Sequence, residues 1–183
     1  MSSTEWPGSK RTTIMRIIPG DLSDPRMVDL LQTHLTTARA QTAPGSAHAL
    51  DLNGLQSPDV SLWTIWEDET LLGVGALKRL TADHGEVKSM YIGEWSRRRG
   101  AGSALLRHIM ATARETGMSR LSLETGSWDY FLPARALYRS HGFVECPPFA
   151  DYALDPNSAF MSLDLRDSRF AFPLSPALPL RPR

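Results

Sequence analysis

Apolar and polar residues along this chain change period repeatedly, and each change marks an element. Arg11 to Ile18 reads as an opening strand that ends at Pro19-Gly20, and Asp24-Pro25 then supplies an N-cap and a first-turn proline for a helix from Pro25 to Ala40. Thr42-Ala43-Pro44-Gly45-Ser46 breaks that helix, and Ala47 to Gln56 reads as a short second one. Val60 to Trp66 alternates, whereas Leu71 to Leu80 and Val87 to Ile92 are longer apolar runs. The polar turns Glu67 to Thr70 and Thr81 to Gly85 fold these three into an antiparallel meander. Ala104, Leu105, Ile109 and Ala113 recur at near-helical spacing and predict a helix from Gly102 to Glu115, closed by Gly117. Arg120 to Glu124 returns as a strand. A right-handed crossover places it parallel to Val87–Ile92. Ser158 to Leu165 is a last apolar strand, so the pattern predicts a mixed sheet with helices on both faces.

Composition narrows this picture. A chain of 183 residues fits one domain with a core of its own. We expect a flexible, polar N-terminal segment over 1–12, a domain over 13–165, and an extended tail over 166–183, whose four prolines cannot sustain a helix or a central strand. Lys plus Arg equals Asp plus Glu at 20 each, so no global field favours nucleic acid or an anionic membrane. Residues 1–12 lack the apolar stretch of a secretory signal, and no run approaches the ~20 apolar residues of a membrane span. Cys146 is alone, which excludes an internal disulfide, and no Cys/His spacing suggests a metal site. These features point to a cytoplasmic protein without metal. Cys146 itself, in Val-Glu-Cys-Pro-Pro, is assigned no chemistry.

The chemistry concentrates in Arg97-Arg98-Arg99-Gly100-Ala101-Gly102-Ser103, which joins the strand Val87–Ile92 to the helix that follows. A glycine-rich turn opening a helix presents unpaired backbone N–H groups and the positive end of the helix dipole, which together cradle an anion such as phosphate. The turn lacks the Gly-Lys-Ser/Thr ending of a P-loop and is not Gly-x-Gly-x-x-Gly. Its Arg-x-x-Gly-x-Gly spacing resembles the pyrophosphate loop of the GNAT superfamily of N-acetyltransferases. Downstream, Ala134-Arg135-Ala136-Leu137-Tyr138-Arg139-Ser140-His141-Gly142-Phe143 resembles that family's Ala-x-x-Leu-Tyr-x-x-x-Gly-Phe helix and its exit into a strand, with Gly142 at the left-handed position. The likeness covers about Ile14 to Leu165, and residues 86–143 carry nearly all its specificity. Glu124 to Phe131 looks like a bacterial, YsnE-like subgroup.

The resemblance implies an α/β GNAT fold with a mixed central sheet of about seven strands, and acetyl-CoA as cosubstrate. It implies that Gly100, Ala101, Gly102 and Ser103, with Arg97 and Arg99, hold the pyrophosphate. A strand bulge would add the main chain of Met90, Tyr91 and Ile92 along the pantetheine arm. Phe131 stands where the family often has asparagine and would pack against that arm. Direct attack of an amine in a ternary complex needs a base, and Glu86 and Glu124 are both open for that role. Glu86 begins the strand leading to the loop, at the offset of the catalytic glutamate in one branch of the family, and is the first choice. Glu124 ends the parallel neighbour, where open sheets place ligands. Tyr138 is the expected general acid, because a phenol of pKa ~10 can protonate a thiolate whose acid has pKa ~8.5. His34, His48, Trp66, Glu124 and Trp128 are expected to shape the acceptor site. The acceptor itself is expected to be a small-molecule amine or an amino terminus, with a homodimer as a possible assembly. A non-catalytic acyl-CoA-binding sensor on the same fold is the alternative reading.

Overall fold

The computed structural model describes residues 14–41 and 52–170. A seven-stranded sheet forms in the order β1-β2-β3-β4-β5-β7-β6. β1 (Met15–Pro19) and β2 (Val60–Glu67) lead into the long strands β3 (Thr70–Arg79) and β4 (His84–Ile92). β5 (Arg120–Gly126), the two-residue β6 (Val144–Glu145) and β7 (Ser158–Asp164) complete it. Every neighbouring pair is antiparallel except β4 with β5. The expected meander, crossover and mixed sheet are therefore all present.

Two cores sandwich this sheet. On one face lies α1 (Pro25–Ala40), started by Asp24, whose side chain accepts from the Arg26 N–H, with Pro25 in the first turn. Met27, Leu30 and Leu31 recur three and four residues apart and bury against Trp66, Leu71, Val74, Ala76 and Tyr91, joined by Leu55 of the short α2 (Leu52–Leu55). On the other face α3 (Ala101–Glu115) buries Leu105, Leu106, Ile109 and Met110 completely. Truncating one of these to Ala costs about 2–5 kcal/mol, because the close-packed interior cannot collapse into the void. α4 (Leu132–Ser140) sits beside α3 through Tyr138 and Leu137.

The sheet is continuous up to one seam. β4 and β5 pair only at His84–Arg120, Gly85–Leu121 and Glu86–Ser122, and then part. The cause lies in β4. Val74 faces Tyr91 and Ala76 faces Lys88, so Ser89 and Met90 together oppose Gly75 alone. Ser89 takes φ +48. Such a bulge bends its strand, and here it turns the C-terminal half of β4 away from β5.

The pattern misplaced a few boundaries. β4 starts three residues before Val87, because His84, expected in the turn, is a buried polar residue with a partner on β5, and Glu86 lies buried inside the strand rather than at its start. Residues 166–170 do not run free as an extended tail: Ser168–Phe170 forms a 3-10 turn that packs on the core. The remainder of the tail, the whole N-terminal segment 1–12 and residues 47–51 of the second predicted helix lie outside the described residues.

Candidate active site

Where β4 and β5 part, a cleft of about 590 Å³ opens, bounded by α1, the loop before α3, and α4. One end is the start of α3. Gly100 caps the helix in the left-handed conformation at φ +85, preceded by Arg98 at φ +64, and no side chain caps the first turn. The N–H groups of Ala101, Gly102 and Ser103 therefore point into the cleft without a capping acceptor. A side chain at Gly100 would meet nothing within 4 Å, so the space above the turn is open.

The loop is held from outside. Arg99 turns away to an ion pair with Glu67 at the end of β2, while Arg97 and Arg98 line the cleft. The Arg99 side chain thus anchors the cradle rather than facing the anion, and what was expected of Arg99 at the pyrophosphate is its backbone N–H. Arg97 reaches toward the Tyr130 hydroxyl at 3.4 Å. Ser103 Oγ sits 2.8 Å from His141 Nε2. His141 Nδ1 lies 2.9 Å from the Leu137 carbonyl; with the proton on Nδ1 donated there, Nε2 accepts from Ser103 and fixes that hydroxyl. The only hint of His141 in the sequence was its place before Gly142.

The walls run from the cradle toward the far end of β4. Met90, Tyr91, Ile92 and Phe131 all line the cleft, as expected of cofactor contacts. The Phe131 ring lies directly over Gly126, where any side chain would collide with it. Ser89 Oγ and Ser96 Oγ are buried in the cleft wall with no hydrogen-bond partner among the described residues. Buried hydroxyls are rarely left so, and they fit a polar, extended ligand passing along β4. The open helix start, the basic loop and these hydroxyls together fit coenzyme A: phosphates at α3 and the pantetheine arm along β4.

At the far end Tyr138 projects from α4 and Glu124 from β5, both into the cleft. Burial, with a contribution from the Glu124 charge, pushes the Tyr138 phenol well above its ordinary value of 10.0. It therefore keeps its proton through the physiological range and has that proton to donate. Ser158 Oγ donates to Glu124 Oε1 at 2.7 Å and orients that carboxylate. Glu86 is placed differently. It is 3% exposed and does not line the cleft. Its Oε1 accepts from Tyr152 Oη at 2.7 Å and lies 3.1 Å from Lys88 Nζ. Lys88, two residues on and on the same strand face, is the one that reaches the cleft.

Among the expected acceptor residues, His34 lines the cleft and stacks on Tyr91 with ring centroids 4.8 Å apart. Trp66 does not. It is 5% exposed in the α1 core, its Nε1 donates to Thr64 Oγ1 at 2.9 Å, and Arg26 covers its ring. Trp128 is 52% exposed, reaches Asn157 Oδ1 at 3.2 Å, and also lies off the cleft. The first is a core residue because β2 alternates it toward α1; the second caps a loop on the outside. His48 lies outside the described residues. Tyr130, of the Trp128-Asp129-Tyr130 loop expected at the acceptor site, does line the cleft, whereas Lys88, Tyr152, Ser89, Ser96 and His141 were missed. Only Lys88 had a local signal, its even spacing from Glu86.

A sheet splayed at one parallel pair, with an anion cradle at the helix that follows and a tyrosine on the next helix, fits the class of acyl-CoA-dependent transferases. Residues 27–143 match the acetyltransferase (GNAT) family, and the chain belongs to that family. It is 47% identical over 145 residues, 79% of this chain and 91% of the relative, to the uncharacterized N-acetyltransferase YedL of Escherichia coli (strain K12). It is 46% identical over 151 residues, 82% of this chain and all of the relative, to the uncharacterized N-acetyltransferase YsnE of Bacillus subtilis (strain 168). The expected YsnE-like subgroup is thus borne out, and the chain is an N-acetyltransferase. The fold is shared with a Bacillus subtilis acetyltransferase solved in complex with CoA, at a TM-score of 0.62 and 18% identity, covering 82% of this chain and 99% of that one.

Proposed function

We propose that this protein transfers the acetyl group of acetyl-CoA to a primary amine by direct attack within a ternary complex. The observation that carries this reading is the cleft itself, which runs without interruption from the uncapped start of α3 to Tyr138 and Glu124. Acetyl-CoA supplies an activated thioester, whose carbon the amine attacks and whose sulfur departs.

The residues divide that work. The N–H groups of Ala101 to Ser103 and the charge of Arg97 and Arg98 hold phosphates, while Ser89, Met90 and Phe131 keep the pantetheine arm in line. Fixing the thioester beside the amine converts a bimolecular encounter into an oriented one. An alkylammonium of pKa ~10 must lose a proton before it attacks. Glu124 is the carboxylate that faces the cleft, held by Ser158, and it takes that proton directly or through a water. Glu86, the first choice from sequence, acts instead behind the wall through Lys88 and Tyr152. Tyr138 returns a proton to the departing sulfur.

The test is thiol release from acetyl-CoA across a panel of amines, with Glu124→Gln, Glu86→Gln and Tyr138→Phe. Tyr138→Phe and Glu124→Gln each lower kcat on the order of 100-fold or more while acetyl-CoA still raises the Tm. In the wild type, kcat shows no alkaline fall from Tyr138 below about pH 10, since burial moves that phenol upward. A Tyr138→Phe enzyme with undiminished kcat would remove the general-acid role.

A further inference from the structure

The acceptor end of the cleft carries a charge that a plain amine would not choose to meet. Lys88 is 8% exposed, yet it lines the cleft. Its ammonium is fixed from behind: Nζ donates to Tyr152 Oη at 2.7 Å and lies 3.1 Å from Glu86 Oε1. The Tyr152 hydroxyl in turn spends its own proton on Glu86. The tyrosine thereby fixes both ends of the ion pair and leaves the ammonium preorganised in the cleft wall.

Its position along β4 places it beyond the cofactor's phosphates. Gly102, in the cradle, lies against Ile92 and Met90. Lys88 is four residues back from Ile92, about 13 Å along the strand at the usual rise. It shares that far end with Glu124. Lys88 and Glu124 each stand two residues beyond the last paired residues of β4 and β5, Glu86 and Ser122, and both line the cleft with Tyr138. Across the cleft, burial drives the His34 imidazole down to about 4, so it adds no positive charge near neutrality.

An incoming ammonium is drawn by Glu124 but meets the positive end of the Lys88–Glu86 pair, since Lys88 and not Glu86 lines the cleft. Both charges become favourable together when the acceptor carries an anion beside its amine. Resting on the acetyltransfer reading above, we propose that the acceptor is a zwitterion of the α-amino acid kind, with its amine at Glu124 and its carboxylate at Lys88. Lys88 is then the specificity-determining residue, with Glu86 and Tyr152 as its positioning residues.

The experiment compares each common α-amino acid with its own carboxamide as acceptor, at saturating acetyl-CoA. The two share side chain and size and differ in the carboxylate's charge; the amide's α-amine is also less basic, so the acid-to-amide ratio is read as the difference between wild type and the Lys88 variants. Binding of both to the enzyme loaded with CoA is followed calorimetrically as a readout independent of turnover. The acids are expected to exceed the amides by about 10- to 100-fold in kcat/KM, mostly through KM, as befits one charged hydrogen bond. Lys88→Met erases that ratio. If Lys88→Met does not fold, Lys88→Arg, which keeps a cation for Glu86 but moves its donors, must change the ratio. Amides that bind and react as well as acids overturn the proposal, as does an acid preference that survives both Lys88 variants. An enzyme that binds acetyl-CoA yet acetylates no amine of any kind overturns the transfer reading instead, and this proposal with it.

Discussion

His34 shows how one residue's surroundings set its chemistry. On an exposed helix its ring would titrate near 6.5, but stacked on Tyr91 and withdrawn from water it is pushed down to about 4. It is therefore neutral at pH 7. Because the folded form holds its proton less tightly than the unfolded form, acid favours unfolding. The cost is absent above pH 6.5 and grows as the pH falls toward 4. A His34→Gln variant is expected to show a shallower loss of Tm over that window, measured by thermal denaturation at stepped pH. An unchanged slope would place the acid sensitivity elsewhere. The same scale separates Glu86 from Glu124. Both lie within strands beside the seam, Glu86 in β4 and Glu124 in β5, and nothing in their local sequence says which carboxylate meets a lysine and a tyrosine and which lines the cleft. Tyr152 decides that, from 66 residues away.

At the scale of the element, the loop into α3 was legible because its chemistry is local. Gly100 must adopt φ +85, and the first-turn N–H groups of a helix are unpaired whatever the rest of the fold does. Gly100→Ala meets no neighbour within 4 Å, so its penalty is backbone strain alone, about 1–2 kcal/mol. Urea unfolding should show that loss, and acetyl-CoA should bind more weakly as the cradle distorts. Full stability in Gly100→Ala would mean that the left-handed turn is not required. β4 was read less well. Its apolar half is obvious, but His84 looks like a turn residue until its partner is known. His84 Nε2 lies 2.8 Å from Ser122 Oγ, which donates on to Ser162 Oγ at 3.1 Å. A buried polar face of this kind has no signature in periodicity, since satisfaction comes from other strands.

For the whole molecule, the described C-terminal residues close the side of the sheet away from α1. Arg114 of α3 donates to the carbonyls of Leu165 and Phe170, each at 2.9 Å. Phe170 lies over Gly142, whose φ of +91 leaves room for no side chain beneath that ring. These contacts fasten the end of β7 to the helix that carries the anion cradle. Arg114→Met is expected to cost about 1–3 kcal/mol in denaturant unfolding while leaving kcat and KM unchanged, because Arg114 is not part of the cleft wall. A selective loss of acetyl-CoA affinity would show that the fastening also sets the cradle.

The sequence by itself determined the strand and helix order, the single parallel pair, the anion cradle and the family. Each follows from interactions within a few residues or from a pattern that the next element must bury. Only the tertiary structure decided what faces the cleft. It sent Arg99 to Glu67, Trp66 into the α1 core and Trp128 to the outside, and it exchanged Glu86 for Lys88 at the wall. Those choices depend on distant partners and on a two-residue bulge opposite Gly75. A side chain's direction and charge environment are set across strands, and no local period records them.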